Sequence, residues 1–457
     1  MRGPRYTGMS ASIAESRRFL AIGAASAAIA LKPVLAVPVL IAAFAWWIFL
    51  APSRWLFVFF ALALLTPPLP VPVGESGLNV APFAACLGLL IGAIRSREWR
   101  DVRSPVSSRL LLFAGVLTVS SAIGALYSGV AVALGSFART ALFGIGVYVF
   151  FHALRGPSED PRRIARFLLF AAAAAALFAC ADYYFQFPAP AGFEAQFVWL
   201  DDGVFRRAQG LFYEASTLGN FCAFFLVMAM VGLTRRREES VVPKLLLIPA
   251  ALLFTVTLIL SYSRGSALAV IAGGISLMTL RRVRFWRVLS MAGCSVFAAG
   301  LVVYLLLPSF FANYAARIAG SFQNLAYAPN AVLSGRLANW QALIGFLIGH
   351  PWQAIAGIGY KTLPYSDITG AKTIADNTWL SLLVETGIAG LGCFVALNAA
   401  ILKSAYRSAR TGNFYGQWIF CFWVGEMAQM FSGDLITYWR ILPVYFWVLG
   451  TALREAE

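Results

Sequence analysis

Arg264 is the residue whose position in this 457-residue sequence most needs a chemical explanation. It lies in the stretch LILSYSRGSALAV, about halfway along an otherwise apolar run from Leu245 to Leu280. A charged side chain inside an apolar membrane segment costs free energy. The run is therefore either one buried helix that carries a costly cation, or two short spans whose junction surfaces at a membrane face and holds the arginine for a purpose.

Composition decides the class of protein in which this arginine must be placed. The chain is 60% hydrophobic and only 12% charged, and its mean hydropathy is +0.75. These values exclude an ordinary soluble domain and predict a polytopic integral membrane protein. Counting apolar segments against the ~20 residues that cross a bilayer predicts about 12 to 14 transmembrane helices.

Several kinds of site are excluded by the absence of their motifs. The six cysteines fall inside apolar segments without CxxC or Cys/His spacing, so neither disulfides nor metal ligands are expected. No Gly-rich phosphate loop and no HExxH pattern is present, which leaves nucleotide and zinc chemistry without support.

The placement of basic residues predicts the orientation of the chain. Clusters of arginine and lysine occupy the polar stretches 95–109, 155–166, 235–240, 281–287 and 403–410. The positive-inside rule puts these stretches, and both termini, in the cytoplasm. The net charge of +16 is then a topology signal, and no nucleic-acid partner is expected.

This orientation answers part of the question about Arg264. Because the clusters at 235–240 and 281–287 are both placed inside, the apolar run between them must cross the membrane and return. Residues 261–266 are then the outer turn, and Arg264 lies at the outer face.

Polar residues placed outside form three groups. They are the stretch 199–216, the turn at 261–266 and one long segment at 308–375. We therefore divide the chain into N-terminal transmembrane helices (1–307), an outer segment (308–375) and C-terminal transmembrane helices (376–457). Apolar residues in the outer segment recur every three or four positions, which predicts an amphipathic helix at the membrane interface: Leu337, Trp340, Leu343, Ile344 and Leu347.

Four motifs in these outer groups resemble a known family. The stretches RRAQGLFYEAS, SYSRG, SGRLANWQALIGFLIGHPWQAIAGIGY and DNTWLSLLVETGIAG follow one another within roughly residues 200–400. Together they resemble the O-antigen ligase and polymerase superfamily of bacterial envelope glycosyltransferases. The resemblance implies an all-α, GT-C-like membrane fold in the inner membrane, with a site that faces the periplasm. It also implies an undecaprenyl-diphosphate-linked glycan as donor, with no cofactor and no catalytic metal.

Such a transfer needs cations for the departing diphosphate, and arginine suits this task because it binds phosphate through two nitrogens. The candidates are Arg264 and one or both of Arg206 and Arg207, although the last two could instead pair with Asp201 and Asp202. Arg336 either contacts phosphate or only orients the interfacial helix.

The transfer also needs a base near the acceptor hydroxyl. The ligase pattern has a histidine followed by asparagine at this position, whereas this sequence has Asp376 followed by Asn377. Asp376 is the expected base, with a helix cap as its alternative role. Tyr213, Glu214 and Asn377 are expected to have supporting roles in the site, Glu214 as a carboxylate that orients a guanidinium.

The acceptor separates the possible activities. A polymerase joins one lipid-linked glycan to another, whereas a ligase passes the glycan to lipid A core. The aspartate in place of histidine favours an O-antigen or exopolysaccharide polymerase, with the ligase as the alternative. A lipid-linked glycan transporter and a non-catalytic envelope scaffold remain as other classes. Membrane lipids and other polysaccharide assembly proteins are the further partners expected.

Overall fold

The computed structural model describes most of the chain. The described residues are 36–50, 52–67, 80–94, 104–140, 160–188, 195–200, 203–212, 214–236, 241–281, 285–324, 327 and 329–454. Tyr213, Asp201 and Asp202, which the sequence singled out, lie outside the described residues.

The described elements are almost all α-helices. In chain order they are α1 (Ala36–Leu50), α2 (Pro52–Leu65), α3 (Ala81–Ile94), α4 (Pro105–Ser128), α5 (Val130–Ala138), α6 (Pro161–Phe185), β1 (Phe197–Leu200), β2 (Gly203–Arg206), α7 (Ala215–Thr234), α8 (Lys244–Leu260), α9 (Arg264–Arg281), α10 (Phe285–Leu306), α11 (Pro308–Asn324), α12 (Pro329–Val332), α13 (Arg336–Gly349), α14 (Pro351–Ala356), α15 (Thr378–Arg410), α16 (Phe414–Gln429), a 3₁₀ turn (Leu435–Thr437) and α17 (Leu442–Arg454).

Four of these helices, α4, α6, α7 and α15, are long and apolar enough to cross a membrane. Shorter apolar helices, including α8, accompany them. These helices confirm the predicted all-α, polytopic membrane protein. The count of 12 to 14 spans and the GT-C relationship stay predictions, because helix length and composition do not decide them.

Helix α7 lies at the centre of the described bundle. Its residues are buried on nearly every side, as expected for a helix that is apolar all round. The ring of Phe224 contacts those of Trp418, Phe422 and Tyr445, at centroid distances of 4.5, 4.8 and 4.4 Å. These contacts hold α16 and α17 against α7.

Helices α9 and α16 approach each other closely at Gly425. A Cβ atom at Gly425 would lie 2.2 Å from the carbonyl oxygen of Ala269, so a larger residue would force the helices apart. The close approach brings polar residues of the two helices together. The Nε2 of Gln429 donates a hydrogen bond of 3.0 Å to the Oγ of Ser266.

A two-stranded hairpin, which was not predicted from the sequence, precedes α7. Strands β1 and β2 are antiparallel, with Phe197 opposite Arg206 and Leu200 opposite Gly203. Each strand has only four residues, which is too short for a clear alternating pattern. The hairpin determines the position of Arg207, the residue that follows β2.

The predicted amphipathic helix is present as α13, with Leu343 and Leu347 buried and Ile344 half exposed. The indole nitrogen of Trp340 donates a hydrogen bond of 2.7 Å to the carbonyl oxygen of Ala375. Helix α13 is therefore attached directly to the residues that precede α15. Its location at the membrane interface stays a prediction.

Candidate functional site

The turn between α8 and α9 places Arg264. Helix α8 ends at Leu260, and α9 begins at Arg264 itself. Tyr262 between them adopts a left-handed backbone conformation with φ of 54°, and the hydroxyls of Ser263 and Ser266 are 2.7 Å apart. The apolar run is therefore two helices joined by a turn, as predicted.

Arg264 reaches across to the segment before α13. Its Nη2 donates hydrogen bonds to the carbonyl oxygen of Val332, at 2.6 Å, and to the Oγ of Ser334, at 3.2 Å. These bonds tie the α8–α9 turn to residues that lie almost seventy positions later in the chain. Arg264 also lines a cavity of about 1020 Å³.

The two consecutive arginines after the hairpin have different surroundings. The Nη2 of Arg206 donates to Asp182 Oδ1 at 3.1 Å, and the Arg206 side chain is only 10% exposed and does not line the cavity. Arg207 does line the cavity, and its Nε donates a hydrogen bond of 2.9 Å to the carbonyl oxygen of Ser261. Arg206 is thus placed in an ion pair with α6, and Arg207 beside the α8–α9 turn.

Arg336 and Asp376 form an ion pair at the edge of the same cavity. The Nε of Arg336 lies 3.1 Å from Asp376 Oδ2, and both residues line the cavity. Arg336 is the first residue of α13, so the pair attaches this helix to the start of α15. Arg336 therefore lines the cavity and also positions α13 through its ion pair with Asp376.

Asn377, and not Asp376, is the cap of α15. Its Oδ1 accepts a hydrogen bond of 3.1 Å from the backbone N–H of Leu380. Asp376 has a left-handed backbone with φ of 47°, which turns the chain just before the helix. The alternative in which Asp376 serves only as the helix cap is therefore not what the geometry shows.

Glu214 lines the cavity from the start of α7. The Oγ of Ser216 donates a hydrogen bond of 3.0 Å to its Oε2. Burial raises the pKa of the Glu214 carboxyl, and the nearby charge of Asp376 raises it further. Glu214 is therefore a second carboxyl group in the cavity, in a drier position than Asp376.

Cationic side chains outnumber carboxyl groups among the described residues that line the cavity. The cations are Arg207, Arg264, Arg317, Arg336 and Lys372, and the carboxyl groups are those of Glu214 and Asp376. Burial and neighbouring positive charges lower the pKa values of several of these arginines. Burial, followed by the charges of Arg264 and Arg207, lowers the pKa of Arg317 to about 10. Burial, with a further contribution from Arg336, lowers the pKa of Arg207. This arrangement would be stabilised by an anion in the cavity.

Arg317 and Lys372 were missed by the sequence analysis. Arg317 belongs to α11, where Asn313, Ala316 and Gly320 line the cavity with it. Their spacing of three, four and seven residues places them on one helix face and was a usable signal. Lys372 lies in an irregular segment after α14, where spacing carries no such information.

A buried polar network braces the helices beneath the α8–α9 turn. The Nδ2 of Asn220 donates to Glu426 Oε2 at 2.5 Å and to Gln429 Oε1 at 3.0 Å. Tyr445 donates its hydroxyl hydrogen to Asn220 Oδ1, and Gln429 in turn bonds to Ser266 in the first turn of α9. The start of α9 therefore has polar contacts with the bundle core as well as apolar ones.

No group of three or more potential metal-ligating side chains occurs in the parts of the chain that the structure describes.

Part of the chain matches a model of a known protein family. Residues 249–395 match the family model described as O-antigen ligase, and this stretch contains Arg264, Arg317, Arg336, Lys372 and Asp376. A search of curated proteins finds no match. The family match confirms the predicted resemblance to the O-antigen ligase and polymerase superfamily and supports a ligase- or polymerase-type function.

Proposed function

We propose, from the match of residues 249–395 to the O-antigen ligase family model, that this chain is a membrane glycosyltransferase. It moves a glycan from an undecaprenyl-diphosphate carrier to an acceptor hydroxyl at the periplasmic face of the inner membrane. We propose a polymerase as its activity, with the ligase as the alternative.

The observation that supports this proposal is that three arginines and a carboxylate line one cavity. Arg207, Arg264 and Arg336 come from three distant parts of the chain and line the same space as Asp376. Arginine binds phosphate oxygens through paired N–H groups, and a carboxylate can accept a proton from a hydroxyl. A lipid-linked glycan diphosphate and an acceptor sugar need this combination of groups.

In the proposed reaction the acceptor oxygen forms a bond to the anomeric carbon of the donor glycan. The bond between that carbon and the diphosphate oxygen breaks, and the diphosphate leaves with the electron pair. Asp376 takes the proton of the acceptor hydroxyl. Arg264 and Arg207 stabilise the negative charge that grows on the departing diphosphate, which lowers the barrier because the charge is greatest in the transition state.

The contacts of Asp376 support its proposed role as this base. Arg336 holds its Oδ2 at 3.1 Å, while Oδ1 accepts no hydrogen bond from any residue in the described ranges. One carboxylate oxygen is thus oriented and the other is open to an acceptor hydroxyl. An attack from the side opposite the leaving diphosphate inverts the configuration of the anomeric carbon.

The experiment that tests the proposal is a transfer assay with purified protein. The protein is incubated with undecaprenyl-diphosphate oligosaccharide, with and without lipid A core. A polymerase lengthens the lipid-linked glycan without lipid A core, whereas a ligase forms product only when the core is added. Release of undecaprenyl diphosphate in neither reaction would contradict the proposed enzyme and favour a transporter or a scaffold.

A further inference from the structure

The N-terminus of α9 opens into the cavity. Ser263, Arg264 and Gly265 line the cavity, and α9 begins at Arg264 and runs for 18 residues. The first N–H groups of a helix have no partner inside the helix, and the helix dipole places partial positive charge at this end. Gly265 has no side chain, so its backbone lines the cavity directly. Its N–H has no hydrogen-bond partner among the residues that the structure describes.

Tyr262 adds a second hydrogen-bond donor at the same helix end. Its side chain lines the cavity and is only 3% exposed, and its hydroxyl has no hydrogen-bond partner within the described parts of the chain. A buried hydroxyl in this condition costs free energy until a ligand supplies the missing partner. Burial raises the pKa of the Tyr262 hydroxyl above its ordinary value, so the hydroxyl keeps its proton and can donate it in a hydrogen bond.

The ring of Tyr262 is held in place from several sides. Its centroid lies 4.7 Å from that of Phe310 and 5.4 Å from that of Tyr314, and the guanidinium carbon of Arg317 lies 5.7 Å from it. The left-handed backbone of Tyr262, with φ of 54°, is unfavourable for an aromatic residue. One residue thus combines backbone strain with an unpaired hydroxyl. Neither feature stabilises the fold, and both are explained if Tyr262 binds a ligand.

Tyr262 lies beside both arginines that are proposed to bind the diphosphate. The Nε of Arg207 donates a hydrogen bond of 2.9 Å to the carbonyl oxygen of Ser261, the residue before Tyr262. Arg264 follows Tyr262 by two positions. The unpaired hydroxyl and the helix end are therefore placed where these two arginines line the cavity.

We propose that the diphosphate of the lipid-linked donor binds at the N-terminus of α9, where it accepts hydrogen bonds from the Tyr262 hydroxyl and the Gly265 N–H. This inference rests on the proposed glycosyltransferase function and adds the position of the diphosphate with two further donors. Helix N-termini bind phosphate through their N–H groups and their partial positive charge. Because the Tyr262 hydroxyl gives up no protein partner when the ligand arrives, its whole hydrogen bond contributes to affinity.

The first test measures equilibrium binding of undecaprenyl diphosphate and of undecaprenol to the protein in nanodiscs. Tyr262→Phe removes the hydroxyl and keeps the ring. It should lower the affinity for the diphosphate lipid by at least ~10-fold, the effect of one hydrogen bond to a charged group, and leave the affinity for undecaprenol unchanged. Tyr360→Phe is the matched control, because its hydroxyl is buried 2.9 Å from the Oγ1 of Thr140 and Tyr360 does not line the cavity. The control should keep both wild-type affinities.

Thermal melting of the ligand-free proteins separates a binding role from a structural one. Tyr262→Phe removes an unpaired hydroxyl and should melt at or above the temperature of the wild-type protein. Tyr360→Phe removes a paired hydroxyl and should melt at a lower temperature. A fall for Tyr262→Phe that matches the fall for Tyr360→Phe would show that the Tyr262 hydroxyl stabilises the fold, which would overturn the inference.

The second test places a negative charge at the helix end itself. Ser432 lines the cavity and adjoins α9, since a Cβ atom at Gly265 would meet the Ser432 Oγ. Ser432→Asp adds a carboxylate there, and Ser432→Asn has the same shape without the charge. The aspartate should weaken binding of undecaprenyl diphosphate at least ~10-fold relative to the asparagine. Asn339→Asp adds the same charge to the cavity wall from α13 and should have a smaller effect.

The outcomes separate this inference from the proposed function. If the wild-type protein prefers undecaprenyl diphosphate and Tyr262→Phe keeps the full preference, the inference is wrong and the proposed function stands. Equal effects of Ser432→Asp and Asn339→Asp would also reject the position at α9, and this comparison decides the question if Tyr262→Phe does not fold. If the wild-type protein has no preference for the diphosphate lipid, the proposed function fails and the inference fails with it.

Discussion

Replacing Asp376 by asparagine separates catalysis from folding at this site. The substitution keeps the shape of the side chain and removes its negative charge. Asn377, which caps α15 through a hydrogen bond to the Leu380 N–H, is untouched. The ion pair with Arg336 is lost, but the two side chains are 45% and 26% exposed, so water already screens much of their attraction.

The expected effect of Asp376→Asn on stability is small, and its expected effect on the transfer rate is large. A partly exposed ion pair contributes about 0–1 kcal/mol to stability, so the melting temperature should fall by at most ~4 °C. Loss of a general base slows a reaction by roughly 10²- to 10⁴-fold. Asp376→Asn should therefore bind lipid-linked donor about normally and transfer the glycan at least ~100-fold more slowly.

The assay measures initial rates of transfer and thermal melting on the same purified samples. Asn377→Ala is the matched control, because it removes the helix cap, which costs about 1 kcal/mol, and leaves the carboxylate in place. Asp376→His should recover part of the rate, since imidazole is a competent base near neutral pH. Transfer at the native rate by Asp376→Asn would refute the assignment, and Glu214 would be the next carboxyl group to test.

Three further predictions follow from the same cavity. Arg264→Ala and Arg264→Lys should both abolish transfer in folded protein, because lysine keeps the charge and loses the paired N–H geometry; near-normal turnover by Arg264→Lys would show that bidentate binding is wrong. In a cysteine-free background, Ala371→Cys should react with a membrane-impermeant thiol reagent from the outer face and Arg236→Cys should not, and reversed labelling would place the cavity in the wrong compartment. Because burial raises the pKa of Glu214 above its ordinary 4.5, the folded protein holds this proton more tightly than the unfolded chain, so stability should decline as pH rises from 4.5 through the raised pKa. Thermal melts across that window should lose this slope in Glu214→Gln, and an unchanged slope would assign it to another group.

The features that sequence predicted well are those that depend on local pattern. The helix–turn–helix around Arg264 followed from an apolar run interrupted by a charged, glycine-containing turn. Helix α13 followed from apolar residues at spacings of three and four. The consecutive polar residues Asp376 and Asn377 indicated the start of a helix. The sequence did not indicate which of the two would cap it.

The features that sequence did not predict depend on contacts between distant residues. Arg206 and Arg207 are neighbours in the chain, but the four-residue strands of the hairpin direct one toward Asp182 and the other toward the cavity. The ion pair of Arg336 with Asp376 joins two elements forty residues apart, and no local spacing specifies it. The spacing of residues in α11 places Arg317 on one helix face with Asn313 and Gly320, but the packing of that face beside the cavity depends on residues far away in the chain.

The central claim is that the arginine-lined cavity binds the diphosphate of a lipid carrier, and equilibrium binding tests it most directly. The measurement compares undecaprenyl diphosphate with undecaprenol, two lipids that differ only in the diphosphate, on wild-type protein and Arg264→Ala in nanodiscs. Charged hydrogen bonds to phosphate predict that the wild-type protein binds the diphosphate lipid at least ~10-fold more tightly, and that Arg264→Ala loses most of this difference. Equal affinity of the wild-type protein for the two lipids would contradict the account.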